Sequence, residues 1–174
     1  MKKSLIVCGL ISCMMLTGCG GKEKAKSGEE VQKIIEKAGW EVKSNGGGTV
    51  SESVDLVIDK QTSFQVSHDK EKNTISSVWF TSIEDETNYS VNRDADSEDD
   101  LGMVIAGEQT SCMRYNITKD KADTSSTNAL GGCSTTKAAA LKDAVEKRDD
   151  YLKKQDITLD DLISWGKWHY KIEK

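Results

Sequence analysis

Residues 62–80 read TSFQVSHDKEKNTISSVWF, and their apolar period is two. Phe64, Val66 and His68 alternate with polar neighbours, which is the pattern of a strand with one buried face. Asp69–Asn73 is rich in turn-forming residues. Ile75 and the Val78-Trp79-Phe80 run then complete a β-hairpin. Outward from this hairpin the same period holds. Val54, Leu56 and Ile58 mark a strand before it. Further strands are expected around 87–92, 101–107 and 111–118. Between them Arg93–Asp100 (RDADSEDD) reads as an exposed acidic turn, and 119–134, with its Gly131-Gly132 pair, as a loop.

Both flanks of this β region change to a helical period. Ser27 and Glu30 have capping-box spacing, and Val31, Ile34, Ile35 and Ala38 then fall on one helix face. Gly39 suits the stop, and Trp40 is placed to fold back on the stripe. A second helix is expected from about Thr136 to Lys154, with Ala138, Leu141, Val145 and Leu152 inward. Thr158 with Asp161 caps a last helix carrying Leu159, Leu162, Ile163, Trp165, Trp168 and Ile172. Gly166 in its middle is about 1 kcal/mol worse than alanine, so a close packing contact is expected there. The expected fold is α+β: an N-terminal helix, an antiparallel sheet of about five or six strands, and two C-terminal helices packed on one sheet face.

The N-terminus has a different character. Lys2 and Lys3 precede an apolar stretch from Leu5 to Leu16, which ends in Leu16-Thr17-Gly18-Cys19. A basic start, a short apolar run and small residues at its end have the proportions of an export signal. About a dozen apolar residues fall short of the ~20 a spanning helix needs. The segment Leu16–Cys19 resembles the lipobox of bacterial lipoproteins. That resemblance implies a signal peptide over residues 1–18, removed before Cys19, and a diacylglycerol on the Cys19 thiol with acylation (palmitate or a similar chain) of the new N-terminus. It places the protein on the extracytoplasmic face of the cell membrane, lipid-anchored. Residues 19–27 would then be a lipidated tether and 28–174 a single domain. The 62–80 hairpin and the ending LDDLISWGKWHY resemble small uncharacterised lipoproteins of low-GC Gram-positive bacteria, a likeness that carries over no active site.

Once the leader is set aside, five cysteines become two. Cys8 and Cys13 leave with it and Cys19 carries lipid, so Cys112 and Cys133 remain. In an exported protein such a pair is expected to form a disulfide. A metal pair or a catalytic thiol are the alternatives, but no histidine stands at zinc-ligand spacing and no CxxC occurs.

Charge excludes one class of partner. Removing Lys2 and Lys3 from 24 basic residues against 29 acidic ones takes the net charge from −5 to −7. Nucleic acid needs clustered Lys and Arg, and none is expected as a partner. Nor does the overall balance suggest a basic surface assisting the lipid.

Chemistry-bearing groups are sparse. The two histidines, His68 and His169, stand near no nucleophile in sequence, and neither GxSxG nor HExxH occurs. Asp94–Asp100 begins like a Ca²⁺ loop but has Asp99 where glycine is required and Ile105 where a bidentate glutamate is required. Gly46–Gly48 precedes a strand, so a phosphate cradle is not indicated. The candidate binding residues are therefore aromatic: Trp165, Trp168 and Tyr170, either an exposed row suited to a sugar or peptide, or core under the helices. No catalytic residue, metal or cofactor is expected. The function expected is a non-enzymatic module binding an envelope protein or component, reaching the membrane through the lipid on Cys19. The alternative is a small-ligand carrier or sensor, for a peptide or glycan, with a cleft between sheet and helices.

Overall fold

The period-two region folds into one continuous antiparallel sheet, each strand pairing with the next in sequence. A computed structural model describes residues 24–107, 109–122 and 133–172. Among these the strands are β1 (Glu41–Asn45), β2 (Ser51–Val57), β3 (Thr62–Asp69), β4 (Thr74–Glu84), β5 (Thr87–Asp94), β6 (Asp100–Ala106), β7 (Gln109–Asn116) and β8 (Lys121–Ala122). The helices are α1 (Gly28–Lys37), α2 (Thr135–Lys154) and α3 (Leu159–His169). The fold is α+β, as the sequence pattern requires. Two strands exceed the expected five or six, and both lie at sheet edges. All five residues of β1 are exposed, and β8 is two residues long, so neither carries an apolar period.

One sheet face is buried. Val54 and Leu56 on β2, Phe64 and Val66 on β3, Val78 and Phe80 on β4, Val91 on β5 and Val104 on β6 are all at most 2% exposed. Their register puts them side by side: Val54 faces Val66, which faces Val78, and Phe64 faces Phe80. Register shifts after Ser67, so that His68 pairs with Ile75 and both still point inward. A bulge of this kind adds a residue to one strand without turning the apolar set to solvent.

The helices cover that face. α2 packs on β4, β5 and β6, α3 on β3 and β4, and α1 mainly on α3. The helix signals of the sequence take their expected form. Ser27 and Glu30 cap α1 reciprocally, and Thr158 and Asp161 cap α3; Trp40, expected against the α1 stripe, stacks on Phe64 of β3 at 5.5 Å. Gly166 is the close contact its position suggested. A β-carbon there would meet Ile75 Cδ1 at 3.0 Å and Val66 still nearer, so α3 approaches the sheet along its bare backbone.

Two expectations change. Residues 24–27, assigned to the tether, belong to the folded domain. The Lys26 main-chain N–H donates to the Asp161 carboxylate, and its ammonium pairs with Asp156 at 3.4 Å. Arg93–Asp100 is not an exposed acidic turn throughout, because Arg93 and Asp94 belong to β5 and Asp100 opens β6, where Asp100 is buried. The lipobox residues 16–19 and the signal-peptide segment 1–18 lie outside the described residues. No helix among the described residues is long and apolar enough to cross a membrane.

Candidate functional site

The three aromatic candidates on α3 and its C-terminal end go to three different environments. Trp165 is fully buried, and its indole N–H donates to Gln32 Oε1 at 2.7 Å. It is core, and the reading of Trp165 as a binding residue is corrected on that ground. Helix α3 has two covered sides, the sheet on one and α1 on the other, so Trp165 is enclosed while Trp168, three residues on, is 46% exposed. Trp168 stands in a groove of about 740 Å³ with Ser27 and Gly28 of the α1 start and Ile172 beyond α3. Tyr170 is half-buried and stacks on His68 at 4.7 Å. Burial, then the nearby Glu52 and Asp55 carboxylates, push its phenol up to about 12. Its hydroxyl is buried with no hydrogen-bond partner among the described residues.

His68 is buried, and both ring nitrogens are engaged. Nδ1 lies 2.9 Å from Glu52 Oε1 and Nε2 lies 3.2 Å from Asn73 Oδ1. Hydrogen bonds from His68 and Lys70 hold the Glu52 carboxyl below its ordinary range. His169 is wedged between Trp165 and Tyr170, each ring 5.0 Å away, and burial pushes its imidazole down against a small opposing pull from Glu52. Nucleophilic catalysis needs a hydroxyl or thiol hydrogen-bonded to the base. His68's hydrogen bonds go instead to a carboxylate and an amide.

At the end of the acidic segment, Asp99 and Asp100 are taken up by protein cations. Arg93 and Arg148 both grip Asp100 in two-pronged fashion, Arg148 at 2.7 and 3.2 Å and Arg93 at 3.0 and 2.9 Å. Desolvation raises the pKa of Asp100, but these hydrogen bonds outweigh it and hold its carboxyl below the usual range. Asp99 pairs with Lys119. No group of three or more His, Cys, Asp or Glu side chains that would hold a metal is found among the described residues. Cys112 on β7 and Cys133 before α2 come together as a disulfide, with Cα atoms 4.7 Å apart, and so tie the last long strand to the helical layer.

Where a cleft between sheet and helices was considered, core side chains fill the space. A niche of about 150 Å³ is found where α2 crosses the sheet at Ser82 and Tyr89. A larger pocket of about 460 Å³ lies at the helix ends, with Arg93, Lys24, Lys153, Asp156 and Asp160 among its walls, and has no aromatic lining.

The other sheet face is left uncovered by α1, α2 and α3. Trp79, Leu101 and Met103 stand half-exposed on it, around a hollow of about 130 Å³. Asn92 pairs with both Trp79 and Leu101 in the register, and the Trp79 indole N–H donates to Ser77 Oγ at 3.1 Å. Serine, threonine and amide side chains surround this apolar centre: Gln65 faces Trp79 from β3, and Thr81 and Ser90 share a 3.1 Å hydrogen bond.

Known families, curated proteins and solved structures offer no match to this chain.

Trp79 was not among the aromatic candidates, although its signal is present in the sequence. Val78 and Phe80 both face the core, and the strand period then sends Trp79 to the opposite face. Leu101 and Met103 follow in the same way, flanking Gly102. Their convergence depends on the pairing of β4, β5 and β6.

Proposed function

We propose that this chain is a lipid-anchored protein of the cell envelope, held through Cys19 on the extracytoplasmic face of the membrane, and that its domain is a non-enzymatic module binding another envelope protein. The carrying observation is the one-sided cover of the sheet: helices on one face, and on the other a half-exposed Trp79–Leu101–Met103 centre with a polar surround. Aromatic residues and methionine are enriched at the centres of protein interfaces, where tryptophan is a frequent energetic anchor, and a polar rim is usual. The Leu16–Cys19 motif supports the anchor.

The test has two arms. Cys19→Ala is expected to release or mis-process the protein, and unchanged membrane fractionation of that variant sinks the anchor. A photo-crosslinking residue in place of Met103, on intact cells, is expected to capture a defined envelope protein. The same residue in place of Lys33, on the exposed side of α1, is expected not to. Equal capture from both positions removes the sheet face from the proposal. Thermal stabilisation by glycan fragments or short peptides, without capture at 103, turns the assignment to the small-ligand alternative.

A further inference from the structure

We infer that the Trp168 corner is a second point of contact with the bilayer, seated in the headgroup layer beside the lipid anchor. This rests on the lipid-anchor reading and gives that anchor a protein partner. Of the eight residues lining the groove none is acidic, in a chain with 29 acidic residues. Lys167 and Lys171 supply positive charge, with no carboxylate partner among the described residues, while Trp168 and Ile172 supply the apolar wall. Overall acidity conceals this local reversal of sign. Tryptophan is the side chain most suited to the interfacial layer, with an apolar body and one N–H donor, and lysines reach lipid phosphates while their stems lie on apolar surface.

Position selects the bilayer over a soluble partner. The described chain starts at Lys24, five residues after Cys19, which is an extended reach of about 17 Å. Lys26 is fixed to Asp161, and Ser27 and Gly28 already form part of the groove wall. Gly28 abuts the base of the Trp168 side chain so closely that a β-carbon would overlap it. An acylated Cys19 therefore brings the Lys24–Gly28 end of the domain to the membrane surface, where both the Trp168 groove and the pocket lined by Lys24, Lys26 and Asp156 lie, and of the two only the groove is apolar and free of carboxylates. The acyl chains on Cys19 would suffice to hold the protein on the bilayer, so the corner's part is to orient the domain on the surface.

The experiment uses the protein purified from membranes and placed in phosphatidylcholine–phosphatidylglycerol vesicles, with bromine near the headgroup end of the acyl chains. Mass spectrometry first establishes acylation of Cys19. Wild-type tryptophan emission is expected to be quenched, Trp168→Phe to lose that quenching, and Lys167→Glu with Lys171→Glu to weaken it at equal vesicle occupancy. Acylated, vesicle-bound protein whose quenching is absent, or is unchanged in Trp168→Phe, overturns the corner contact and leaves the anchor standing. Protein with no acyl group on Cys19 overturns both.

Discussion

Gly166 on α3 and Val66 on β3 meet with no α3 side chain between them: a β-carbon at 166 would stand 2.6 Å from Val66 Cγ1. Alanine is favoured over glycine in a helix by about 1 kcal/mol, but here the methyl displaces a fully buried valine. Overpacking of this kind costs about 1–3 kcal/mol. Gly166→Ala is therefore expected to lower stability in urea unfolding, and Val66→Ala combined with it to be less harmful than the two single changes added. A Gly166→Ala protein more stable than wild type would contradict the contact.

Asp100 makes the fold sensitive to acid. Its folded pKa lies below that of an unfolded aspartate, so its contribution is complete above about pH 4 and fades as pH falls further. Asp100→Asn is expected to cost about 3 kcal/mol at neutral pH, because buried Arg148 then keeps only the exposed Asp149 carboxylate, 2.8 Å from its Nε, as counter-charge. The same variant should show a shallower loss than wild type as pH falls below about 4, the ordinary aspartate value, measured by denaturation across that range. Parallel curves would show that Asp100 does not carry the effect.

Tyr170 is held neutral. A folded pKa of about 12 lies above the unfolded value near 10, so its contribution is complete below about pH 10 and is lost as pH climbs toward 12. Ultraviolet titration should find Tyr170 ionising late, as well as Tyr115, whose phenol its hydrogen bond to Asp120 pushes up, and Tyr170→Phe should remove the Tyr170 step alone. Because the hydroxyl is buried without a partner among the described residues, Tyr170→Phe is also expected to be neutral or to stabilise by up to about 1 kcal/mol. A clear loss of stability would mean that the hydroxyl has an acceptor.

Trp165 and Trp168 are expected to part company under the same substitution. Trp165→Ala should cost about 3–5 kcal/mol, and Trp168→Ala less than about 1. Thermal unfolding of the two variants checks this, and similar losses would reject the assignment of one to the core and the other to the surface.

Reduction is expected to raise the protein's mass by two hydrogens and to lower its stability by about 3 kcal/mol, the entropy of freeing a loop whose ends are 21 residues apart. A mass that does not change on reduction would exclude the bond between Cys112 and Cys133.

The inner strands and all three helices are written in the chain locally. Val54, Leu56, Phe64 and Val66 declare one buried face, and Ser27–Glu30 and Thr158–Asp161 declare helix starts. Edge strands escape because β1 buries nothing and β8 is too short to show a period. The fate of the tryptophans escapes for another reason. Trp165 is enclosed by α1 through Gln32, 133 residues away, and helical spacing within α3 does not encode that neighbour. The docking of Lys26 on Asp161 is equally non-local, so a polar stretch with no period looked like free chain. Asp100 likewise looked solvated in an acidic run until Arg148, from a helix 48 residues later, closed over it.

The clasp between Lys26 and Asp161 also sets a load path. A pull arriving from the N-terminal side of the chain enters the fold at the first turn of α3, not at a strand. From there it passes through α3 and its seat at Gly166 into β3 and β4, in the interior of the sheet. The exposed edge strand β1, which would peel one hydrogen bond at a time, is spared. A force applied at Lys26 is thus carried in part by the best-packed layer of the domain.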